Sequence, residues 1–302
     1  MRNSFRSCGH LFTGIQMKYQ FVAQNKQEFP IVVMCRVLEV SESGFYAWRK
    51  RPPCQHERED AQLREEMRQE FSIHCGRYGS PRLHAELRDR GRSIARKRVA
   101  RLMREVGLCA KRKRRRVLTT RRDPSHPVAP NTLNRDFTAT EPNSKWVTDI
   151  TSIPTMQGWL YLAVILDLSS RMVVGWSMSG NGDENLIERA LDQAIARRHP
   201  KAGLLHHSER GSQYTSQAYR TCLEQSGISV SMSRKGNCWD NAAMESFFGT
   251  VKDECVGSTI YSSHDEARLE LFTYMEVYYN RVRRHSTLGY VNPLNYEQKE
   301  NQ

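Results

Sequence analysis

Three carboxylates carry the chemistry that this sequence offers. Asp149 sits in WVTDITSIP, a run of β-formers. Glu209 closes the apolar stretch of LLHHSE just before a Gly/Ser turn, and Glu245 lies at the border of the apolar side of the helix-like segment DNAAMESFFGTVKDE. Between Glu209 and Glu245 lie 35 residues. Magnesium prefers hard oxygen ligands at ~2.0–2.1 Å and takes only a few carboxylates. Two such ions can clamp the attacking and leaving oxygens of an in-line phosphoryl displacement. Two strand acids and one helix acid converging at a sheet edge suit a catalytic metal site acting on nucleic acid. Lys252, seven residues after Glu245, returns to nearly the same helix face and can meet a phosphate backbone there. Any one of these acids alone would ordinarily be a surface charge, but the three contexts together favour the site.

The elements that must position these acids follow in order. WVTDITSIPT, WLYLAVILDLSS and RMVVGWSMS predict three strands of an antiparallel meander. Asn185 to Arg198 reads as a helix, GLLHHSE as a fourth strand, Ser216 to Ser226 as a helix and ISVSMS as a fifth strand. Asp240 is expected to cap the helix that carries Glu245. Strands first, then alternating helix and strand, predict a mixed five-stranded sheet with helices on both faces. This core spans 144–256, and 257–302 forms a C-terminal helix and tail that packs on the core or on a partner. Its capping box is SHDE, Ser263 to Glu266.

Upstream the chain is helical and basic. It holds 46 Lys and Arg against 33 Asp and Glu, a formal charge of +13, which favours a polyanionic partner and nucleic acid over membrane. Residues 1–17 read as a disordered leader. Residues 18–53 outline a helix-turn-helix whose second helix ends basic. In 54–117 a second one follows: Ser80 and Pro81 start a helix that Gly91 ends, and RKRVARLMREVGL then puts Val99, Leu102, Met103 and Val106 on one face. Lys97, Arg101 and Arg104 share a different face that carries only positive charge, as a DNA-reading helix requires. Lys111, Arg112, Lys113, Arg114, Arg115 and Arg116 form an unbroken basic run that supplies sequence-independent phosphate contact. The Thr-, Pro- and Asn-rich stretch 118–143 reads as an exposed linker.

Some classes are excluded. The eight cysteines show no CxxC and no paired spacing, so neither a zinc finger nor a disulfide framework is signalled, and reduced thiols fit the cytoplasm. The longest apolar run, Leu160 to Leu166, is far short of the ~20 residues that span a bilayer.

Taken together, WVTDIT, HSERGSQY with its 35-residue gap, and DNAAMESFFGTVKDE resemble the catalytic motifs of insertion-sequence transposases with a retroviral-integrase-type core. YNRVRRHSTLGYVNP resembles the C-terminal signature of that group, and YGSPRLHAEL with RKRVARLMREVGL its helix-turn-helix module. The resemblance implies a ribonuclease-H-like core, two Mg²⁺ ions for which Mn²⁺ substitutes, and strand cleavage followed by strand transfer. It implies that Asp149 and Glu245 are metal ligands. It also implies double-stranded DNA as element ends and target, at least a dimer on DNA, and a first-reading-frame partner or fusion in a bacterial cytoplasm, on the nucleoid. The departure is Glu209, where the pattern of the group has Asp. Glu keeps charge and ligand type but extends the carboxylate by ~1.5 Å. Two other readings compete. One is an inactive transposase remnant that still binds DNA. The other is a tyrosine recombinase built on Tyr278, Tyr279, Arg283, Arg284 and His285, a set too compressed in sequence to surround a phosphate.

Overall fold

The computed structural model describes residues 14–110, 129–234 and 238–300. The basic run 111–116, most of the expected leader and the first part of the expected linker lie outside them. The chain divides into two compact units, 1–66 and 67–302.

In the first unit, α1 (Ile15–Gln24), α2 (Ile31–Val37) and α3 (Glu42–Lys50) enclose a small core. Val22, Met34, Cys35, Leu38 and Phe45 are buried in it, with Tyr19 and Trp48 against the Phe45 ring. Ser41 caps α3 by accepting the Gly44 N–H at 3.2 Å. Helix α1 begins at Ile15, inside the stretch expected as leader. A long polar helix, α4 (Gln55–Ile73), crosses the boundary between the units.

The second unit begins with a helix pair, α5 (Ser80–Asp89) and α6 (Arg96–Glu105). Pro81 stands in the first turn of α5 as expected, but Gly79 rather than Ser80 precedes the helix as its cap. Val99, Leu102 and Met103 bury the apolar face of α6. The sheet comprises β1 (Lys145–Thr155), β2 (Gly158–Asp167), β3 (Val173–Ser179), β4 (Leu205–Ser208) and β5 (Ser229–Met232), in the order β3-β2-β1-β4-β5. β1, β2 and β3 form the antiparallel meander, whereas β4 and β5 run parallel to β1. Parallel pairing requires crossovers. They are supplied by α7 (Glu184–Arg198) and α8 (Gln217–Gln225).

Alternation along β1 divides the core in two. Val147 and Ile153 face α9 (Ala242–Val251) and α10 (His264–Phe272), while Trp146 faces α7 and α8. Burying each such aliphatic side chain contributes ~1.5–3 kcal/mol. Gly175 in β3 lets α7 approach, since a Cβ there would lie 2.3 Å from the Ala190 carbonyl oxygen. Past its last α-turn α9 continues as a π-turn, Lys252–Val256, and α10 continues likewise over Thr273–Tyr279. The short α11 (Pro293–Glu300) follows.

Residues 129–143, mostly exposed, are docked on the core rather than free of it. Leu133 is buried in the core, its N–H donates to the Ser231 hydroxyl at 3.0 Å, and Asn131 and Arg135 both reach Asp240. Polarity without periodicity hid a segment held by single anchors rather than by an amphipathic face.

The two histidines of LLHHSE are structural. His207 lies between the hydroxyls of Ser231 and Ser233, and His206 Nε2 meets the Tyr219 hydroxyl at 2.7 Å. Burial, with the His207 ring beside it, holds the His206 imidazole down to about 3, from 6.5. Between those values the unfolded chain binds the proton and the fold does not, so stability falls as pH falls through that window, by up to ~1.4 kcal/mol per pH unit. A His206→Phe variant is therefore expected to show a shallower loss of stability between pH 6 and 4 in urea unfolding. An unchanged acid dependence would contradict this.

Candidate active site

The parallel register of β1 and β4 brings two of the acids to the same end of the sheet. Val147 pairs with His207, and two further residues along each strand are Asp149 and Glu209. Neighbouring strands lie ~4.8 Å apart. Asp149 shares the parity of Val147, so it faces α9, which carries Glu245. Glu209 stands one residue beyond the end of β4 rather than within it.

Helix α9 is held against β1 at this level. The Asn241 side-chain amide donates to the Thr148 carbonyl at 3.2 Å, while Met244, Phe247, Phe248 and Val251 bury its apolar face. Asp240 does not cap the helix. It is fully buried and accepts from the Arg234 backbone N–H and guanidinium, from Arg135 and from Asn131, all within 3.0 Å. These charged donors, Arg234 foremost, hold its carboxyl well below the usual range. The helix cap is Asn241, so the helix starts later than the position of Asp240 suggested.

The electrostatics register the convergence. Asp149 is half-buried, and its Oδ1 accepts the Ile150 N–H at 2.8 Å. Burial first, then the charges of Glu209 and Glu245, push its carboxyl up to about 8, against the pull of the Ile150 hydrogen bond and of Lys252. Asp149, Glu209, Glu245 and Lys252 are thus one electrostatic neighbourhood. The three acids do not all close to within 4.8 Å of one another. Beside them Tyr214, of the SQY turn, is buried with its hydroxyl 3.4 Å from Thr148 Oγ1, and burial raises its phenol well above the usual value. Trp239 is 67% exposed just ahead of the Asp240 anchor. Its solvent-facing position in WDN was not visible from residue type.

The other expected residues lie elsewhere. Lys97 and Arg104 are exposed on α6, but Arg101 is paired with Glu105 at 2.5 Å, so that face is not purely positive. Tyr279 is buried edge-on against Phe247 and His285, and Arg283 donates to both oxygens of Glu254, which makes the recombinase-like set part of the packing. Glu254 also accepts from Arg82 of α5 and from Tyr274. Arg284 pairs with Glu86 and Asp89, and its N–H donates to the Tyr78 hydroxyl at 2.9 Å. The C-terminal signature therefore bolts the helix pair to the core. Glu70, His74 and Glu86 also come close enough to ligate a metal, yet Arg90 and Arg284 already occupy the two carboxylates.

The comparisons give this arrangement of sheet and helix pair its class, a DNA transposase with an integrase core domain. Residues 139–238 and 226–293 match models of the integrase core domain, and 57–116 match an HTH-like domain. The chain is 42% identical over 295 residues to the transposase InsF for insertion sequence IS3A of Escherichia coli (strain K12), covering 94% of this chain and 99% of that one. It is 43% identical over 269 residues to an uncharacterized 31 kDa protein of insertion element IS600 from Shigella sonnei, covering 89% and 99%. The chain belongs to the family of IS3-type insertion-sequence transposases. Among solved structures, the HTLV-2 integrase catalytic core domain in complex with magnesium is similar at a TM-score of 0.39 and 17% identity, covering 52% of this chain and 97% of that one. Among the described residues, no helix is long and apolar enough to cross a membrane.

The Asp240 anchor can be tested directly. Asp240→Ala strips one acceptor from three partners, and we expect it to lower unfolding stability by about 2 kcal/mol, because the half-exposed arginines can partly rehydrate. Denaturant unfolding beside Asp240→Asn, which keeps the acceptor oxygen, measures this. Equal stability of the parent and Asp240→Ala would remove the anchor from the account.

Proposed function

We propose that this chain catalyses divalent-metal-dependent cleavage and strand transfer of DNA, with Asp149, Glu209 and Glu245 holding two Mg²⁺ ions that Mn²⁺ can replace. The observation that carries the reading is the crowding of the three carboxylates, expressed in the raised Asp149 carboxyl. Three half-buried acids repelling one another are a hard-oxygen donor set whose repulsion a divalent cation relieves. When bound there, such ions supply charge stabilisation to the attacking and leaving oxygens of the phosphate.

The residues themselves do the positioning. Asp149 is fixed by its strand and by the Ile150 N–H, Glu245 by the clamp of α9 on Thr148, and Lys252 offers a cation to the phosphate backbone beside the acids. Lys97 and Arg104 of α6 carry the duplex contact, with Arg101 tempered by Glu105 and the run Lys111–Arg116 adding charge. The ends and target of the element are double-stranded DNA. Bringing two ends together requires at least a dimer, with a first-reading-frame product as partner or fusion, working on the nucleoid in the cytoplasm.

A second reading is favoured by one residue. Glu209 is one methylene longer than Asp, and a misplacement of ~1 Å in a positioned site can cost ~10²-fold in rate. The chain would then be a DNA-binding remnant with impaired catalysis. Strand-transfer assays on the parent and Glu209→Asp separate the two. We expect the aspartate variant to be faster, by up to ~10²-fold, and Asp149→Ala to lose strand transfer while keeping end binding. Equal rates for the parent and Glu209→Asp would sink the impairment, and strand transfer surviving Asp149→Ala would sink the active site.

A further inference from the structure

We propose that the cleft between the start of α5, the far side of α9, the β2–β3 turn and the tail binds a phosphodiester of the DNA strand that passes the carboxylates, with Arg171 as its main ligand. The cleft encloses about 590 Å³. Its wall carries Arg77, Arg82, Arg171 and Arg283 against Asp253 and Glu254, an excess of positive charge. Arg82 and Arg283 share the single carboxylate of Glu254, and Arg77 gives its Nε–H to the Glu254 backbone carbonyl.

Arg171 differs from these three. Among the described residues it makes no hydrogen bond or ion pair, and Tyr279 and Asp167 act on it only through space. It is half-buried, and burial pulls its guanidinium below the usual value. Its backbone is left-handed, with φ 58°, a conformation that disfavours a residue with a side chain. A costly backbone and a desolvated fork without a partner are together a poor solution for folding. They are a good one for an anion, because guanidinium matches phosphate oxygens two at a time. Burial and the guanidiniums of Arg283, Arg82 and Arg171 also keep the imidazole of His285, on the same wall, neutral.

The position selects a DNA strand over a free ion. Ser246 and Thr250 line the cleft from α9, and Ser246 is the residue after Glu245. A phosphate in the cleft would therefore lie across one helix, roughly 10–12 Å wide, from the acids. At a rise of about 3.4 Å per nucleotide that is a few positions along one strand.

The proposal rests on the nucleic-acid reading above, but its test needs no catalysis. Arg171→Gly removes the guanidinium and relieves the left-handed backbone, so the full chain should melt at or above the temperature of the parent. Binding of a fluorescently labelled duplex with a short single-stranded extension is followed by anisotropy across a salt series without divalent metal. We expect about tenfold weaker binding and a salt slope smaller by ~0.9. Unchanged affinity and slope would overturn the proposal, as would a lower melting temperature with unchanged binding, which would make Arg171 structural. Inorganic phosphate is the second probe. If it raised the melting temperature of the parent as much as DNA does, the cleft would be a small-anion site and the strand assignment would fall. Loss of the metal-centre reading would appear separately, as strand transfer retained by Asp149→Ala.

Discussion

Repulsion among three carboxylates is the constraint around which the catalytic unit is arranged. Left alone, Asp149, Glu209 and Glu245 would separate or take up protons, and the raised Asp149 carboxyl registers burial first and that repulsion second. What keeps them together is the register of β1 with β4 and the seat of α9 on β1. Both are maintained by apolar burial on the α9 face and by polar anchors at the ends of that helix. Asp240 gathers Arg234, Arg135 and Asn131 ahead of it, and Glu254 gathers Arg283, Arg82 and Tyr274 beyond it. The acids converge because neutralised acids on either side of them hold the frame.

The Glu254 anchor also gives the upstream helices a place. Arg82 belongs to α5, and Arg284 of the tail pairs with Glu86 and Asp89 of the same helix. The helix pair that carries the exposed Lys97 and Arg104 is thus fastened to the π-turn that extends the Glu245 helix.

Much of this was legible in the sequence, for identifiable reasons. Five strands, the helix pair and α10 announce themselves through β-branched runs, helical spacing and caps, because each is decided locally. Asp149, Glu209 and Glu245 stand out through motif context and spacing. The buried anchors were not legible. Asp240 looks like a cap, and Tyr279, Arg283 and His285 look like catalytic chemistry, because burial and pairing depend on partners that only the fold brings in, Asn131 and Arg135 for Asp240, Phe247 for Tyr279 and Glu254 for Arg283. Residues 129–143 read as a linker for the same reason, since their docking rests on scattered residues, Leu133, Phe137 and Ala139 against the core and Asn131 and Arg135 on Asp240. Glu105 beside Arg101 was within reach of the sequence, four residues along the same helix, and was outweighed by the surrounding positive charge.

The relation between crowding and metal is the centre of the account, and calorimetric titration of Mg²⁺ into the metal-free chain tests it most directly. With its carboxyl pushed up to about 8, Asp149 is largely protonated near pH 7 and must release that proton to serve as a ligand. Saturable Mg²⁺ binding is expected, with a heat that changes with the ionisation enthalpy of the buffer, and weaker binding without that proton release in Asp149→Asn. Binding that is absent, or identical in parent and variant, would contradict it.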